Sequence, residues 1–391
     1  MASEKNHIDR ITLFVVLILM VVSTVVVYSA SSTWAMQKMQ SASGLVNKHI
    51  AKIMIGLVVM FFAMNIDYKR YKPLTKWVII GSILLLVMTR LTGGEIKGAA
   101  RWLSVGGMSM QPSEIAKFAL LFHLAFLLSN KREKLADFKT GFMPLMFWIG
   151  GVVVLVMVQP NFSTGSMIFA LGMILIFVGG ARLKHLLFTV IALVPVFLGY
   201  MMSAGYRRER LMTWVGFGSG ETVTSTANYQ SLQGIIGFGN GGIFGVGMGM
   251  SKQRELFLPE SYGDFIFSIV GEEYGLIGTL VFMALYLTIL LRGLKIAKYA
   301  PDDFGKYLAI GITSTIVLYA IANALVTLGL APTTGIPMPF VSYGGTAIIF
   351  SSFAVGVLLN ISSQTDLHPR EREIHAGPAV KPEPAIGTLY K

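Results

Sequence analysis

The sequence contains no cysteine and carries little charge for its length. Only 13% of its 391 residues are Asp, Glu, Lys or Arg, whereas 54% are hydrophobic. An average soluble domain carries about 25% charged residues. So little polar surface cannot coat a water-soluble particle of this size, which excludes a soluble enzyme, a disordered chain and a coiled coil. The absence of cysteine excludes disulfides, thiolate metal sites and a cysteine nucleophile.

Acidic residues are scarce relative to basic ones. The chain has 20 Asp and Glu against 32 Lys and Arg, a formal net charge of +12. Such an excess occurs in nucleic-acid-binding proteins, but here the basic residues lie in alternate loops between apolar runs. We therefore assign most of the positive charge to membrane topology. Nucleic acid is not an expected partner, and both termini are expected to be cytoplasmic.

The main positive feature is a series of apolar runs close to the length of a membrane span. They predict an all-α polytopic membrane protein with about ten transmembrane helices. The runs cover 11–30, 49–66, 77–91, 113–129, 142–159, 164–181, 185–203, 264–291, 307–330 and 346–361. Residues 1–10 are then a cytoplasmic N-terminus and 11–361 the membrane domain. Residues 362–391 form a polar tail that is predicted to be disordered and cytoplasmic.

The longest segment between runs, 204–263, is predicted to be a large extracytoplasmic loop between helices 7 and 8. Its apolar content favours a folded cap at the outer surface. Within it, Gly237 to Gly242 match the pattern G-x-G-x-x-G. A dinucleotide site would need a preceding strand and a following helix, and neither is predicted. A glycine-rich turn or a close helix contact is the favoured interpretation.

Two ionisable residues lie three positions apart inside the fourth run. A charge at the bilayer centre costs about 2.5–3.5 kcal/mol and needs a partner or a wet cavity. Glu114 and Lys117 share a helix face, which suits either a structural ion pair or a site. His123 stands alone, so we expect a packed or hydrogen-bonded histidine rather than a metal ligand.

Asp264 stands where the outer loop meets the eighth run. A partly desolvated carboxylate there suits a general base, a ligand for Mg²⁺ or Mn²⁺, or simply a helix N-cap. Glu272 and Glu273 follow inside the same run. One of this pair is expected to form an ion pair with a basic residue of another span.

Three arginines open the outer loop at Arg207, Arg208 and Arg210. Guanidinium groups bind phosphate with two parallel hydrogen bonds, and basic clusters also anchor to lipid headgroups. Together with an outer carboxylate and a membrane cavity, these arginines would suit a lipid-linked phosphate substrate.

Longer motifs make the chain similar to a known family. They are Lys97 to Leu103, Gln111 to Glu114 with Lys117, Gln159 to Asn161 with Thr164, Tyr206 to Arg208 with Arg210, Asn228 to Gln230, Gly247 to Gly249, Leu258 to Glu260, Asp264 to Phe267, Gly271 to Glu273, and Pro332 to Gly345. In this order they resemble the SEDS family (shape, elongation, division and sporulation) of bacterial membrane glycan polymerases. Pro332 to Gly335, Ser251 with Gln253, and Gly271 before Glu272 favour the division-type branch over the elongation-type branch.

The resemblance implies a specific activity. Family members polymerise lipid II at the outer face of the inner membrane and release undecaprenyl pyrophosphate. They work beside a class B penicillin-binding protein and other division proteins. The family's essential aspartate corresponds to Asp264, which becomes the candidate catalytic residue and the candidate site for Mg²⁺ or Mn²⁺, and no organic cofactor is expected. Two alternatives stay open: a flippase for the lipid-linked precursor and a non-catalytic scaffold.

Further site residues follow from the same resemblance. Candidates for binding lipid II or stabilising its pyrophosphate are Arg101, Glu114, Lys117, Arg207, Arg208 and Arg210. Candidates for a structural or site role are Glu260, Glu272, Ser342 and Tyr343. The chain departs from the family pattern at Asn161, where Asp is common, and at Tyr262-Gly263, where His-Thr is common. A histidine partner for Asp264 is therefore not predicted.

Overall fold

A computed structural model describes residues 7–92, 102–105, 108–216 and 226–365. Three sequence predictions lie wholly or partly outside that part of the chain, namely residues 1–6 of the N-terminus, Arg101, and the tail from residue 366 onward. The described residues form twelve α-helices and one two-stranded hairpin. The helices are α1 (Arg10–Met39), α2 (Gly44–Asn65), α3 (Thr75–Thr92), α4 (Pro112–Lys131), α5 (Met143–Val158), α6 (Phe162–Val178), α7 (Leu183–Met202), α8 (Gly205–Val215), α9 (Thr226–Gly241), α10 (Ile266–Lys298), α11 (Asp303–Thr327) and α12 (Ala347–Ser362). The strands β1 (Leu103–Val105) and β2 (Met108–Met110) pair antiparallel.

Ten of these helices correspond to the ten predicted apolar runs. Eight candidate spans are long and apolar enough to cross a membrane, and α6 and α12 are shorter apolar helices. The prediction of an all-α polytopic protein with about ten spans is therefore confirmed. The other two helices, α8 and α9, lie in the loop between α7 and α10, as expected for a folded cap.

Burial divides the spans into central and peripheral helices. In the most apolar stretch of α4 and of α11, 78% and 72% of residues are buried, whereas the value for α7 is 6%. α4 and α11 therefore form the centre of the bundle, where polar side chains must find partners within the protein. α7 contributes little to the packed core.

α10 is broken at Gly275, which has a positive φ of 65°. The break separates a buried half, 266–274, from a half that exposes apolar side chains, 276–298. The loop after α9 satisfies the interrupted backbone groups on both sides. Its bonds run from Val246 N to Glu272 O (2.9 Å), Gly247 N to Glu273 O (3.1 Å), Leu276 N to Gly242 O (2.9 Å) and Ile277 N to Ile243 O (3.2 Å). This exchange joins the outer loop firmly to α10.

Glycines allow α9 to pack closely against the first half of α10. A Cβ added to Gly241 would lie 2.0 Å from the carbonyl oxygen of Gly271. A Cβ on Gly271 would lie 2.2 Å from the ring of Phe238. Within the stretch 237–242, Gly241 and the pattern position Gly237, whose added Cβ would lie 3.4 Å from Ser268 O, make the expected close helix contact, whereas Gly239 and Gly242 face open space. Most of the G-x-G-x-x-G pattern belongs to α9 itself rather than to a turn after a strand, which excludes the dinucleotide interpretation.

Candidate active site

The segment 332–345, which connects α11 to α12, folds back over the start of α10. Ser342 Oγ donates a hydrogen bond to Gly263 O (2.7 Å) and accepts one from Met338 N (2.7 Å). Tyr343 N donates to Tyr262 O (2.9 Å). The segment is thus attached to the two residues that come immediately before Asp264. Ser342 and Tyr343, both predicted as site or structural residues, hold the segment in this position.

The carboxylate of Asp264 lies against Gly335 of this segment. A Cβ built on Gly335 would stand 3.2 Å from Asp264 Oδ2, so a side chain at this position would crowd the carboxylate. Gly335 also has a φ of 69°, a conformation that glycine adopts without strain. Asp264 is half-buried, and the N-cap of α10 is Phe265 instead. The N-cap interpretation of Asp264 is therefore wrong.

Asn323 on α11 positions both sides of this contact. Its Nδ2 donates to Asp264 O (2.7 Å) and to Ile336 O (2.8 Å). Asn323 was not among the site residues predicted from the sequence. A signal was present, because an amide inside the apolar run 307–330 must be satisfied by the protein.

The three arginines of α8 have different surroundings. Arg210 Nη1 donates to Thr333 O (3.2 Å) and so reaches the segment that carries Gly335. Arg207 stacks on the ring of Tyr200, 3.8 Å from its centroid, and Arg208 is exposed. Thr333 and Gly335 are two residues apart, at most about 7 Å along the backbone. Arg210 and Asp264 therefore contact one short stretch of chain from different directions.

Glu114 and Lys117 form a buried ion pair on α4, with 2.8 Å between Nζ and Oε2. The ammonium group also lies over the ring of Tyr319 on α11, 4.1 Å from the centroid. Together with Pro337 and Ser342 these residues line a small cavity of about 20 Å³. The two charges therefore neutralise each other, as in a structural ion pair. The pair also borders the segment 332–345, which carries Gly335 next to Asp264.

Aromatic side chains pack around Tyr262, two residues before Asp264. Tyr262 packs between Trp34 and Tyr343, with ring centroids 5.3 Å and 6.0 Å away. Lys52 Nζ lies 4.0 Å from the centroid of Tyr343. Burial, with the nearby Glu260, Tyr343 and Asp264, raises the pKa of Tyr262 to about 12. The Tyr262 hydroxyl therefore stays protonated at neutral pH.

Glu260 shapes the turn that leads to Asp264. It has a positive φ of 58°, and its carbonyl oxygen accepts hydrogen bonds from Gly263 N (2.9 Å) and Phe265 N (3.4 Å). Of the structural and site roles that the sequence left open, this geometry supports the structural one.

Glu272 and Glu273 fasten the outer loop to α10. Glu272 accepts hydrogen bonds from Ser251 Oγ, Gln253 N (3.1 Å) and Asn240 Nδ2 (3.1 Å). Glu273 accepts from Ser29 Oγ and from Gly249 N (3.0 Å). For the described residues, the prediction that Glu272 or Glu273 forms an ion pair with a basic residue of another span is therefore wrong. Hydroxyl and amide groups take that place, and these hydrogen bonds support a structural role for Glu272.

His123 serves packing and Asn161 serves helix capping. His123 is buried and packs edge-on against Trp148, with centroids 4.6 Å apart, as expected for a packed histidine. Asn161, where the family often has Asp, is the N-cap of α6 and accepts a hydrogen bond from Thr164 N (3.4 Å). An amide oxygen performs this capping role as well as a carboxylate does.

Known proteins resemble this chain over most of its length. The family model for FtsW, RodA and SpoVE, described as "Cell cycle protein", matches residues 9–367. A probable peptidoglycan glycosyltransferase FtsW of Geobacter metallireducens is 37% identical, covering 92% of this chain and 96% of the relative. Stage V sporulation protein E of Bacillus subtilis is 36% identical, covering 93% and 99%. Peptidoglycan glycosyltransferase MrdB of Escherichia coli is 32% identical, covering 92% and 94%.

Solved structures share the fold. A chain from a peptidoglycan synthase complex that coordinates polymerization and crosslinking superposes with a TM-score of 0.74. It is 23% identical, and the match covers 91% of this chain and 97% of that one. RodA of Thermus thermophilus superposes with a TM-score of 0.67, at 23% identity and with 91% and 96% covered. With the family model matching nearly the whole membrane domain, the chain belongs to the FtsW/RodA/SpoVE family, the SEDS family.

Proposed function

We propose that this protein is a peptidoglycan glycosyltransferase of cell division. It polymerises lipid II into glycan strands at the outer face of the bacterial cytoplasmic membrane and releases undecaprenyl pyrophosphate. The names of the relatives support this activity. The observation that carries the proposal is the convergence of Asp264 and Arg210 on the stretch Thr333 to Gly335. With both termini cytoplasmic, as the loop charges favour, this stretch faces the outer side.

Asp264 is the general base in this proposal. A hydroxyl of the acceptor sugar attacks the anomeric carbon of the donor, and its proton passes to the Asp264 carboxylate. The bond between the anomeric carbon and the pyrophosphate oxygen breaks, and its electrons leave with the lipid pyrophosphate. A half-buried carboxylate beside Gly335 is placed to take up this proton.

Arg210 is placed to stabilise the leaving group. Its guanidinium has donors beyond the one that binds Thr333 O, and these suit phosphate oxygens. Charge grows on the pyrophosphate as the bond breaks, so a fixed cation there lowers the barrier more than it strengthens substrate binding. Arg208, exposed on the same helix, is proposed to attract the anionic lipid rather than to stabilise the transition state. Lys117 and Glu114, which line the neighbouring cavity, are proposed to hold a polar part of lipid II.

Asp264 also suits a shared divalent cation. Mg²⁺ is commonly held by one or two carboxylates together with substrate phosphates, so a single carboxylate beside a pyrophosphate fits that donor set. A bound Mg²⁺ or Mn²⁺ would neutralise charge on the departing pyrophosphate. The described residues contain no group of three or more His, Asp or Glu that could hold a metal ion by itself. This favours a cation that binds together with the substrate over one that is bound permanently.

A crosslinking enzyme is the proposed partner. The related complex coordinates polymerization with crosslinking, and new strands need both reactions. We propose a class B penicillin-binding protein as that enzyme, together with other division proteins.

The test is polymer formation from labelled lipid II in liposomes that contain this protein and its class B penicillin-binding partner. Wild type is compared with Asp264→Asn and with Glu255→Gln, which removes an exposed carboxylate of the same outer loop. We expect polymer from wild type and Glu255→Gln and none from Asp264→Asn, with equal binding of the partner. Adding a chelator and then Mg²⁺ or Mn²⁺ tests the cation.

The other outcomes are equally informative. Polymer from Asp264→Asn would retain the enzyme but exclude Asp264 as its base. Absence of polymer from wild type with bound partner would contradict the glycosyltransferase. Measuring transfer of fluorescent lipid II across the same liposomes would then separate a flippase from a scaffold.

A further inference from the structure

The loop 242–250, between α9 and the turn at 253–257, presents a cluster of large apolar side chains to its surroundings. They are Ile243, Phe244, Val246, Met248 and Met250, with 59%, 81%, 41%, 60% and 70% of their surface exposed. We propose that this loop inserts into the outer leaflet of the bilayer and anchors the extracytoplasmic cap to the membrane. The inference concerns lipid contact and does not depend on the chemistry at Asp264.

The position of the loop along α10 supports contact with lipid. Four backbone hydrogen bonds hold residues 242–247 at the Gly275 break. Directly below the break, α10 exposes Leu276, Ile277, Leu280 and Val281, at 54%, 49%, 59% and 55%. These positions form one stripe of a helix, which in a membrane protein faces lipid. The apolar surface of the loop continues this stripe.

Helix length places the loop at the edge of the hydrocarbon layer. A bilayer core of about 30 Å corresponds to about 20 helical residues. The basic residues Arg292, Lys295 and Lys298 mark the inner boundary at the end of α10. Counted back from them, that length ends between about 272 and 278, which includes Leu276 and the attached loop.

Charge in and beside the loop also fits a lipid surface. Residues 241–254 contain no acidic residue, whereas Lys252 and Arg254 follow the apolar cluster. Apolar side chains beside basic ones are typical of segments that lie at the interface of anionic membranes. The loop is also bonded to Glu273, through Gly249, in the buried half of α10 that begins two residues after Asp264. Lipid contact would thus fix the candidate site relative to the headgroups.

Because the chain has no cysteine, single-cysteine labelling tests the inference directly. Phe244→Cys is labelled with an environment-sensitive fluorophore in vesicles of phosphatidylethanolamine and phosphatidylglycerol. Matched controls are Leu280→Cys, on the exposed stripe of α10 about one turn below the loop, and Lys252→Cys, exposed in the same loop region. Lipids with a spin label at the fifth acyl carbon serve as quencher. Partner binding and unfolding temperature verify that each variant is folded.

We expect blue-shifted emission and strong quenching at Phe244→Cys, close to the Leu280→Cys values, and weak quenching at Lys252→Cys. Water-like emission without quenching at Phe244→Cys would overturn the proposal. Loss of quenching at Phe244→Cys when the penicillin-binding partner is added to the vesicles would also overturn the proposal, because the cluster would then be a protein interface.

Discussion

Asn323 and Asp264 are joined by a hydrogen bond of 2.7 Å between the Asn323 side-chain nitrogen and the Asp264 main-chain carbonyl. The same nitrogen donates to Ile336 O at 2.8 Å. One buried amide on the central helix α11 therefore holds both the start of α10 and the segment that carries Gly335. The main chain of the candidate base is thus positioned by the core of the bundle as well as by the outer loop.

Replacing this amide should uncouple the two elements. Asn323→Asp substitutes an acceptor for the donor and leaves two buried carbonyl oxygens facing a carboxylate. Each unsatisfied group costs about 1–3 kcal/mol, so we expect a lower unfolding temperature and slower polymerisation. Unfolding in detergent and lipid II turnover measure the two effects. Asn65→Asp, at an exposed position on α2, is the matched control and should change neither.

Arg210 and Arg208 offer a second comparison on one helix. Arg210→Gln removes the charge that contacts Thr333, and loss of such a donor lowers turnover by up to about 10²-fold. The effect should fall on kcat more than on KM, because the charge acts mainly on the leaving group. Arg208→Gln should affect KM or salt dependence instead. Equal losses of kcat in both variants would contradict the assignment of Arg210.

Glu272 should matter for folding of the cap rather than for chemistry. Glu272→Ala leaves the donors of Asn240, Ser251 and Gln253 without their acceptor, so the outer loop should loosen. We expect faster proteolysis within 240–253 and a lower unfolding temperature. Glu255→Ala, exposed on the same loop, is the control. If Glu272→Ala remains as protease-resistant as this control, the fastening role is excluded.

Asp9 makes stability depend on pH at the end of the bundle where α1 begins. It accepts hydrogen bonds from Arg292 on α10 and from Thr12 (2.5 Å), and its amide donates to Ser362 Oγ on α12 (3.0 Å). Burial alone would raise the pKa of Asp9, but the hydrogen bonds from Arg292 and Thr12 outweigh it, and the pKa is lowered.

The pKa of Asp9 is lower in the folded protein than in the unfolded one, where it is about 3.9, so the ionised group stabilises the fold above that pH. This stabilisation is lost as the pH falls toward the pKa of the folded state. The unfolding temperature of wild type should therefore fall more than that of Asp9→Asn when the pH is lowered from neutral to below about 4. At neutral pH the variant should already be less stable. Parallel curves for the two proteins would contradict this coupling.

The membrane-spanning helices could be predicted from local sequence, because the length and hydropathy of an apolar run are enough to identify it as a span. Even α6 and α12, which are short, follow from their composition. The shared face of Glu114 and Lys117 was equally predictable, since helical geometry places residues three apart side by side.

The partners of isolated polar residues were not predictable in this way. The expectation that Glu272 or Glu273 would pair with a basic residue failed because hydroxyl and amide groups from distant parts of the chain satisfy a buried carboxylate as well. The N-cap interpretation of Asp264 failed because α10 begins one residue later than an N-cap at 264 requires.

The sequence by itself determined the class of protein, the spans and the residues worth examining, because hydropathy and motif order are local properties. Only the tertiary structure decided that Asp264, Arg210 and Asn323 meet at the 332–345 segment. Those contacts join residues 59 and 123 positions apart in the chain. They depend on how helices pack around α11, and packing arises from the summed shape of many side chains rather than from any one pattern.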